Sequence, residues 1–259
     1  MKYSVIGNGF IARKHIEAIN TVGGEVVMVC DIDEGKRTQD YPFTTDYKEA
    51  IDKSEAVAIC VPNHLHAEIA LEAARRGKKI LCEKPVTFKL EELELMKGVP
   101  NLFGVFQLRY LPEINQMRHE ARNCQEATLR VEMKRSSKYY ESWKGNPEKS
   151  GGLLINIGTH YFDLLGHLFG YKGFESKVFL NTETEACGQL IYPDKNIYWS
   201  FALTDEKENY ERSLTIGKKV FDLVQKENLH IKVYENFMWG QGITVKEEEK
   251  ILRMIKSIC

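Results

Sequence analysis

The segment Gly7-Asn-Gly-Phe-Ile-Ala12 carries glycines at a spacing that suits phosphate binding. It follows a short apolar run, Tyr3–Ile6, that predicts a strand, and it leads into a helical pattern over Phe10–Asn20. In a G-x-G-x-x-A loop the first glycine permits a tight turn, and the second lets a pyrophosphate approach the backbone. The spacing therefore predicts a dinucleotide site, with contacts from Gly7, Asn8, Gly9, Phe10 and Ile11.

Asp31 stands at the end of the second predicted strand, Glu25–Cys30. A carboxylate at this place accepts hydrogen bonds from the adenosine ribose hydroxyls and repels a 2′-phosphate. The residue therefore favours NAD over NADP as the cofactor. Lys36 and Arg37 follow closely enough in sequence that NADP stays open as an alternative.

The motif Glu83-Lys84-Pro85 follows another predicted strand, Lys79–Cys82. A residue before proline is pushed out of the helical region, so Lys84 is held extended at the end of a strand. A lysine fixed there can polarise a substrate hydroxyl or carry charge beside it. We therefore predict that Lys84 takes part in catalysis.

A loop with two histidines, Val61-Pro62-Asn63-His-Leu-His66, ends the predicted strand that begins at Ala56. The histidines could suit a metal, but no Cys, Asp or Glu stands at ligand spacing from them. The sequence therefore predicts no metal site. We expect the loop to lie along the nicotinamide half of the cofactor.

The block Gly151–Asp163 contains Asn156 and His160, four residues apart. On a helical turn, residues at this spacing face the same way. Histidine titrates near neutrality, so it can take a hydroxyl proton while a hydride leaves the same carbon. His160 is a candidate base, although a core histidine fits its apolar surroundings equally well.

Strand and helix patterns alternate through the first part of the chain and predict right-handed βαβ units around a parallel sheet. Beyond Gly98 the pattern changes, and Ala127–Lys134 alternates with period two. We predict an α/β fold: an N-terminal Rossmann dinucleotide-binding domain, residues 1–100, and a C-terminal α+β domain with a largely antiparallel open sheet, residues 101–259.

One face of the C-terminal sheet is predicted to be apolar and uncovered. Leu129, Val131, Phe201 and Leu203 are the side chains assigned to it. A face of this character is too apolar to remain in water, so we expect it to bury against a second copy of the chain.

Composition excludes several classes of protein. The formal net charge of −1 gives no basic field for nucleic acid. No stretch approaches the ~20 apolar residues of a membrane span. The six cysteines include no C-x-x-C pair, which indicates reduced thiols and a cytoplasmic location. We therefore expect no nucleic-acid partner and no membrane partner.

These motifs, together with A-V-A-I-C-V-P-N-H-L-H and G-G-L-L-I-N-I-G-T-H, resemble the glucose–fructose oxidoreductase / inositol dehydrogenase (Gfo/Idh/MocA) family over almost the whole chain. The resemblance implies that Lys84 and His160 flank the nicotinamide and take the catalytic roles. Asn156 stands where most members carry aspartate. The further cofactor contacts expected from this comparison and from the loops are Val61, Pro62, Asn63, His66, Glu83, Lys84 and Gln107.

One branch, the UDP-N-acetyl-2-amino-2-deoxyglucuronate dehydrogenases, shares that asparagine and is similar over Tyr139–Gly170, Gln107–Arg109 and Tyr234–Ile243. Its members oxidise the C3 hydroxyl of a UDP-activated N-acetylated sugar to a ketone, which an aminotransferase then converts. The resemblance implies NAD-dependent oxidation of UDP-GlcNAc or its uronate, UDP-GlcNAcA, for lipopolysaccharide or a related envelope polysaccharide. The expected substrate contacts are Lys84, Arg109, Arg135, Tyr139, Trp143, Lys144, Lys149, Asn156 and His160.

Two alternatives stay open on the sequence alone. The chain could oxidise a free sugar, inositol or another polyol, or it could be a non-catalytic sensor of NAD or of a sugar nucleotide. Cations available for a diphosphate in Trp143–Ser150 argue against the first, and the intact Lys84 and His160 argue against the second. The expected assembly is a homodimer or homotetramer through the C-terminal sheet, with a pathway aminotransferase as a further partner.

Overall fold

The computed structural model describes residues 1–205 and 210–258. The strands, in chain order, are β1 (Lys2–Ile6), β2 (Glu25–Cys30), β3 (Phe43–Thr44), β4 (Ala56–Ile59), β5 (Lys79–Glu83), β6 (Leu102–Val105), β7 (Glu126–Lys134), β8 (Glu175–Asn181), β9 (Glu185–Tyr192), β10 (Lys195–Thr204), β11 (Arg212–Ile216), β12 (Lys219–Asp222) and β13 (Ile243–Thr244). The helices are α1 (Ala12–Thr21), α2 (Tyr47–Lys53), α3 (His66–Arg75), α4 (Leu90–Met96), α5 (Ile114–Asn123), α6 (Ser137–Glu141), α7 (Pro147–Ser150), α8 (Gly152–Asn156), α9 (Gly158–Phe169), α10 (His230–Met238) and α11 (Val245–Lys256).

The described chain divides into two compact units. Unit 1 comprises Met1–Gln107 and Glu227–Glu249, and unit 2 comprises Leu108–Lys226 and the residues from Lys250 onward. The chain thus leaves unit 1 a few residues after the predicted boundary at residue 100. It differs from the predicted division because Glu227–Glu249 returns to unit 1.

In unit 1 the strands form one sheet in the order β13-β6-β5-β4-β1-β2-β3. The neighbouring pairs are parallel except β13–β6, which is antiparallel. Strands β1, β4 and β5 consist almost wholly of buried residues, as strands covered on both faces require. The predicted Rossmann architecture is confirmed.

The carboxyl ends of the parallel strands in unit 1 lie at one edge of the sheet, where ligands of such folds bind. Gly7 follows β1, Asp31 follows β2, Cys60 follows β4 and Glu83 ends β5. The sheet topology therefore brings the glycine loop, the acidic residue and the lysine motif to the same edge of unit 1.

Unit 2 contains a second sheet in the order β12-β11-β7-β10-β9-β8. It is antiparallel except for the parallel pair β7–β10, which confirms the predicted largely antiparallel sheet. Helix α9 packs on this sheet through Phe162, whose ring lies 5.4 Å from Trp199 and 5.5 Å from Phe201 between centroids.

The four residues predicted to form an uncovered apolar face do not form one. Leu129, Val131, Phe201 and Leu203 are buried within this chain, because α9 covers the face that they share. Period-two alternation identified the apolar face of β7 but could not show that the chain's own helix would cover it. The other face of β7 and β10 is more polar and includes Thr128, Arg130, Glu132, Tyr198 and Ser200.

Two elements of unit 1 lay outside the predicted pattern. The sequence pattern predicted neither helix α10 nor strand β13, which both lie in the returning segment. Strand β6 stops at Val105, and Gln107–Tyr110 forms a 3₁₀ turn. Among the described residues, no helix has both the length and the apolar character needed to cross a bilayer.

Candidate active site

Gly7 makes the turn at the end of β1 for two steric reasons. Its φ is +97°, which side chains rarely adopt, and a Cβ there would lie 2.7 Å from the carbonyl carbon and oxygen of Cys60. A Cβ built on Gly9, by contrast, would meet no described atom within 4 Å. Helix α1 then begins at Ala12. The loop therefore offers open space beside Gly9 and a helix N-terminus, which together fit a dinucleotide pyrophosphate.

Asp31 is buried beside this loop. Its carboxylate accepts hydrogen bonds from the backbone N–H of Asn8 at 2.8 Å and of Asp33 at 3.0 Å, and it pairs with the ammonium of Lys36 at 3.0 Å. Burial acts to raise the pKa of Asp31, but the hydrogen bonds from Asp33, Lys36 and Asn8 outweigh it and hold this pKa below its ordinary value. Lys36, one of the two cations that kept NADP as an alternative cofactor, thus forms an ion pair with Asp31 itself.

Asp31→Ala should weaken NAD binding, because a lost hydrogen bond to a charged group is worth roughly 1.5–3 kcal/mol. The ratio of the dissociation constants for NADP and NAD should therefore fall by about tenfold or more. The carboxylate that repels a 2′-phosphate is removed while Lys36 keeps its charge. Dissociation constants for both nucleotides measure the effect. As a matched control, Lys36→Met keeps Asp31 and should leave NADP binding weak. A wild type that binds NADP more tightly than NAD would contradict the role of Asp31.

His66 supports the loop after β4. Its buried ring places Nδ1 2.7 Å from the carbonyl oxygen of Pro85 and Nε2 2.8 Å from that of Val61. Burial lowers the pKa of His66 and outweighs the two carbonyl oxygens, which favour the protonated ring. The ring therefore ties the loop after β4 to the loop after β5. Its predicted contact with the cofactor stays a prediction.

Lys84 follows β5 directly, and the Lys84–Pro85 peptide bond is cis. Its side chain is partly exposed, whereas Glu83 and Pro85 on either side are buried. Gln107, another predicted cofactor contact, is buried at the end of the N-terminal part of unit 1. The backbone thus presents the lysine at the edge where the glycine loop lies.

In unit 2 two glycines lead into the block that carries Asn156 and His160. Gly151 and Gly152 have φ values of +85° and +80°, and a Cβ on Gly151 would lie 2.4 Å from the side chain of Ile155. Asn156 ends α8 and His160 lies in the first turn of α9. The helical turn predicted to carry both residues is therefore divided between two helices, and both side chains are partly exposed.

Tyr139 connects Asn156 to two cationic side chains. The amide Nδ2 of Asn156 donates to the Tyr139 hydroxyl at 2.9 Å. The guanidinium carbon of Arg135 lies 5.1 Å from the centroid of the Tyr139 ring, and the Lys144 ammonium lies 5.8 Å from it and from the Trp143 ring. Desolvation lowers the pKa of Lys144, and the charge of Arg135 lowers it further.

This cationic pair has the character of an anion site. Within residues 1–205 and 210–258, no carboxylate forms an ion pair with Arg135 or Lys144. The Arg135 guanidinium instead donates to the Lys134 carbonyl oxygen at 2.9 Å and to the Met133 sulfur at 3.1 Å. Since two cations repel each other, a bound phosphate or diphosphate would stabilise this arrangement.

A pocket of about 330 Å³ lies in unit 2 beside this pair. Ligand pockets commonly measure roughly 300–1,000 Å³, so this one suits a single sugar ring or base. Its lining combines the aromatic, cationic and glycine residues above with the turn between β8 and β9: Tyr139, Tyr140, Lys144, Gly152, Asn181 and Glu183. Trp143 lies next to it in sequence, and Lys149 is exposed on α7.

Arg109 occupies a different environment from the other predicted substrate contacts. Its Nε lies 2.9 Å and its Nη2 2.6 Å from the Asp163 carboxylate, and Nη2 also donates to the Tyr171 hydroxyl at 2.8 Å. The Asp163 side chain has no exposed surface. These contacts assign Arg109 a structural role, and its contact with substrate stays a prediction.

Sequence reasoning missed the partners that hold the predicted residues. Asp163 is one of them. The sequence signal for it was a single carboxylate in an otherwise apolar helix, because a buried carboxylate requires a cationic partner. Glu248 and His230 are others, and both lie in the returning segment Glu227–Glu249. No motif marks these residues, because their partners lie far away in sequence.

Two models of one family match the chain. The model described as "Oxidoreductase family, NAD-binding Rossmann fold" matches residues 1–99. The model described as "Oxidoreductase family, C-terminal alpha/beta domain" matches residues 124–193. The NAD-binding match agrees with the glycine loop and the ionised Asp31 of unit 1, so the chain carries an NAD-binding domain.

Curated relatives and solved structures show similarity to several sugar dehydrogenases. The chain is 30% identical over 217 residues to glucose-6-phosphate 3-dehydrogenase of Bacillus subtilis, a match over 74% of this chain and 62% of that protein. It is 28% identical over 190 residues to inositol 2-dehydrogenase of Corynebacterium glutamicum, over 66% of this chain and 55% of that protein. These alignments thus span less than two thirds of the relatives' length.

The crystal structure of the WlbA (WbpB) dehydrogenase from Thermus thermophilus in complex with NAD and UDP-GlcNAcA has a TM-score of 0.88 to this chain at 26% identity. That similarity covers 98% of this chain and 93% of the Thermus chain. The two matched models follow one another along the chain in the order of the predicted domains. The chain therefore belongs to the Gfo/Idh/MocA oxidoreductase family.

Proposed function

We propose that the chain is an NAD-dependent dehydrogenase that oxidises the C3 hydroxyl of a UDP-N-acetylhexosamine, UDP-GlcNAc or UDP-GlcNAcA, to the 3-keto sugar. The observation that carries the proposal is the junction at Tyr139, which joins Asn156 to Arg135 and Lys144. A sugar diphosphate would balance these cations while its sugar reaches the polar block. The Thermus dehydrogenase solved with UDP-GlcNAcA supports the same class of substrate.

The proposed chemistry removes one hydride and one proton from the sugar. NAD, when bound, supplies the acceptor for the hydride from C3. His160 takes the hydroxyl proton, and Lys84 hydrogen-bonds the same oxygen and stabilises its developing negative charge. The C–H and O–H bonds break as the carbonyl forms. Asn156, held by Tyr139, binds the sugar without adding charge.

A sugar monophosphate is the second candidate substrate. The relative from Bacillus subtilis is a glucose-6-phosphate 3-dehydrogenase and is 30% identical to this chain. One phosphate would also be stabilised by Arg135 and Lys144, and a hexose phosphate is closer in size to the pocket of about 330 Å³. The two candidates share C3 oxidation and differ in what the cations bind.

A panel of sugars separates the candidates. We expect NADH formation, followed by absorbance, with UDP-GlcNAc or UDP-GlcNAcA and none with free N-acetylglucosamine. Lys144→Met should raise KM for the nucleotide sugar by about ten- to a hundredfold, because charge-assisted hydrogen bonds are worth roughly 1.5–3 kcal/mol. Kd for NAD should not change.

The matched control is Lys138→Met, which removes an exposed charge from α6 beside Tyr139 and should leave KM unaltered. Faster oxidation of glucose 6-phosphate than of any UDP-sugar would favour the second candidate. Equal activity on free and UDP-linked sugar would show that the cations bind neither a diphosphate nor a single phosphate of the substrate. The proposal that the chain is a dehydrogenase would still stand.

The product suggests a place in a reaction sequence. A 3-keto sugar nucleotide is a substrate for an aminotransferase, which we propose as the next enzyme and as a partner. We place the reaction in the cytoplasm, where thiols stay reduced. Cys30, Cys60, Cys82, Cys124 and Cys187 are all free thiols.

We further expect a homodimer or homotetramer through the sheet of unit 2. Strand β8 exposes three consecutive large apolar side chains: Val178, Phe179 and Leu180. Such a patch is typical of an interface between subunits. Phe179→Asp should shift the association equilibrium toward monomer in sedimentation experiments, whereas Tyr210→Ser, at another exposed position, should not. A wild-type monomer at micromolar concentration would contradict this expectation.

A further inference from the structure

The segment Glu83–Val86, here called the lysine loop, is anchored at three points by buried side chains of unit 1. The Glu83 carboxylate contacts His15 and His230. The carbonyl oxygen of Pro85 contacts His66, and the backbone N–H of Val86 donates to Glu248. The residue between these anchors is Lys84, to which the proposed function gives a catalytic role.

The first anchor is a carboxylate between two imidazoles. Oε1 of Glu83 lies 2.9 Å from Nε2 of His15 on α1 and 3.2 Å from Nε2 of His230 on α10. Burial acts to raise the pKa of Glu83, but the hydrogen bonds from His15 and His230 outweigh it and hold this pKa well below its usual range. The carboxylate therefore stays ionised although the protein surrounds it.

His230 is the second imidazole that holds Glu83. Its Nδ1 lies 3.1 Å from Oδ1 of Asn228, while its Nε2 faces Glu83. The Asn228 amide is oriented by its Nδ2, which donates to the Lys14 carbonyl oxygen at 2.9 Å and to the Glu17 carboxylate at 3.0 Å. Asn228 thus orients His230, and His230 in turn contacts Glu83 from α10.

A bound metal is the competing interpretation of this cluster. The ligand atoms of His15, Glu83 and His230 lie within 4.8 Å of one another. However, the second ring nitrogen of His15 contacts the Tyr234 hydroxyl at 2.8 Å, and that of His230 contacts Asn228. The facing nitrogens of both imidazoles already lie at hydrogen-bond distance from Glu83 itself, 2.9 Å and 3.2 Å, so hydrogen bonds account for the contacts of the whole cluster.

The second anchor comes from α11. Oε1 of the buried Glu248 accepts a hydrogen bond from the backbone N–H of Val86. Gly104 leaves the space for this carboxylate, because a Cβ there would lie 2.8 Å from Oε2 of Glu248. The close approach of the Glu248 side chain thus explains why strand β6 contains a glycine at this position.

We propose that Glu83 and Glu248 are positioning residues for Lys84: the two buried carboxylates fix the lysine loop on either side of it. The proposal rests on the proposed function, in which Lys84 acts on the substrate oxygen. A displacement of about 1 Å at a reacting group can cost 10²-fold in rate, so anchoring of this kind matters for kcat.

Two pairs of variants test the anchors. Glu248→Leu removes the acceptor of the Val86 N–H, while Glu248→Gln keeps an oxygen there and should rescue much of the effect. Glu83→Gln keeps the shape but removes the charge that faces His15 and His230. We expect faster amide hydrogen exchange at Lys84, Val86 and Thr87 in Glu248→Leu. Exchange there should be unchanged in Glu91→Gln, at an exposed glutamate on helix α4. Unchanged exchange in Glu248→Leu would overturn the proposal.

Kinetics separate positioning from general stability. Glu83→Gln and Glu248→Leu should each lower kcat by about tenfold or more, with little change in KM for the sugar or in Kd for NAD. In a Lys84→Met background the same substitutions should cause no further loss, because their effect passes through Lys84. An equal loss in both backgrounds would overturn the proposal.

Two further results are informative. If no sugar is oxidised, the proposed function fails, and hydrogen exchange alone then decides whether the carboxylates anchor the loop. Stoichiometric zinc in the purified protein that is absent from His15→Ala would overturn the assignment of Glu83 as a hydrogen-bonded anchor of the lysine loop.

Discussion

Lys84→Met and His160→Ala are each expected to lower turnover by about 10²–10⁴-fold, the usual cost of losing a general acid–base group. Methionine keeps the length of the lysine but cannot donate to the substrate oxygen, and alanine removes the proposed proton acceptor. Both variants should still bind NAD, since neither residue belongs to the glycine loop or to the Asp31 network. Initial rates of NADH formation and nucleotide titrations measure the two effects.

His119→Ala is the matched control, because His119 is an exposed histidine on α5 of the same unit as His160. It should retain wild-type turnover. The pH profile shows which residue is the base: a rate that rises through neutrality in the wild type and becomes flat in His160→Ala identifies His160, and an unchanged profile points to Lys84. Near-normal turnover in both catalytic variants would remove the proposed site.

Arg109→Ala should destabilise unit 2 by about 3–5 kcal/mol, because it leaves the carboxylate of Asp163 buried without its cation. The guanidinium contacts both carboxylate oxygens, and the Asp163 side chain has no access to water. Urea unfolding measures the loss. The midpoint should fall well below that of the wild type.

A double replacement is the matched control for this pair. Arg109→Leu with Asp163→Leu removes both charges, and apolar substitutes for a buried ion pair are often neutral. We therefore expect the double variant to recover much of the lost stability. An unchanged midpoint in Arg109→Ala together with a raised KM for the nucleotide sugar would instead place Arg109 at the substrate.

Local pattern sufficed for the fold of each unit and for the residues at the strand ends of unit 1. Apolar spacing predicted β1, β2, β4 and β5, and parallel pairing then brings Gly7, Asp31 and Glu83 to one edge. The cofactor could also be predicted from the sequence, because the steric demand at Gly7 and the charge at Asp31 are properties of single residues.

The supports of those residues could not be predicted, because each depends on a contact between distant segments. Glu248 reaches Val86 across most of the chain, and Arg109 finds Asp163 on another helix. Periodicity shows that a face is buried but does not show what covers it. For this reason the sheet face with Leu129 and Val131 was assigned to a second subunit, although α9 covers it.

The return of Glu227–Glu249 to unit 1 has a consequence for how the chain is made. Tyr3 packs its ring 5.6 Å from that of Tyr234, which the ribosome adds much later. Until then the nascent unit has β6 as an open edge and holds the Glu83 charge without His230. The NAD-binding half therefore cannot complete its core until this later segment is made, and a fragment cut at residue 100 would lack the same pieces. An expressible NAD-binding fragment must carry both of its segments.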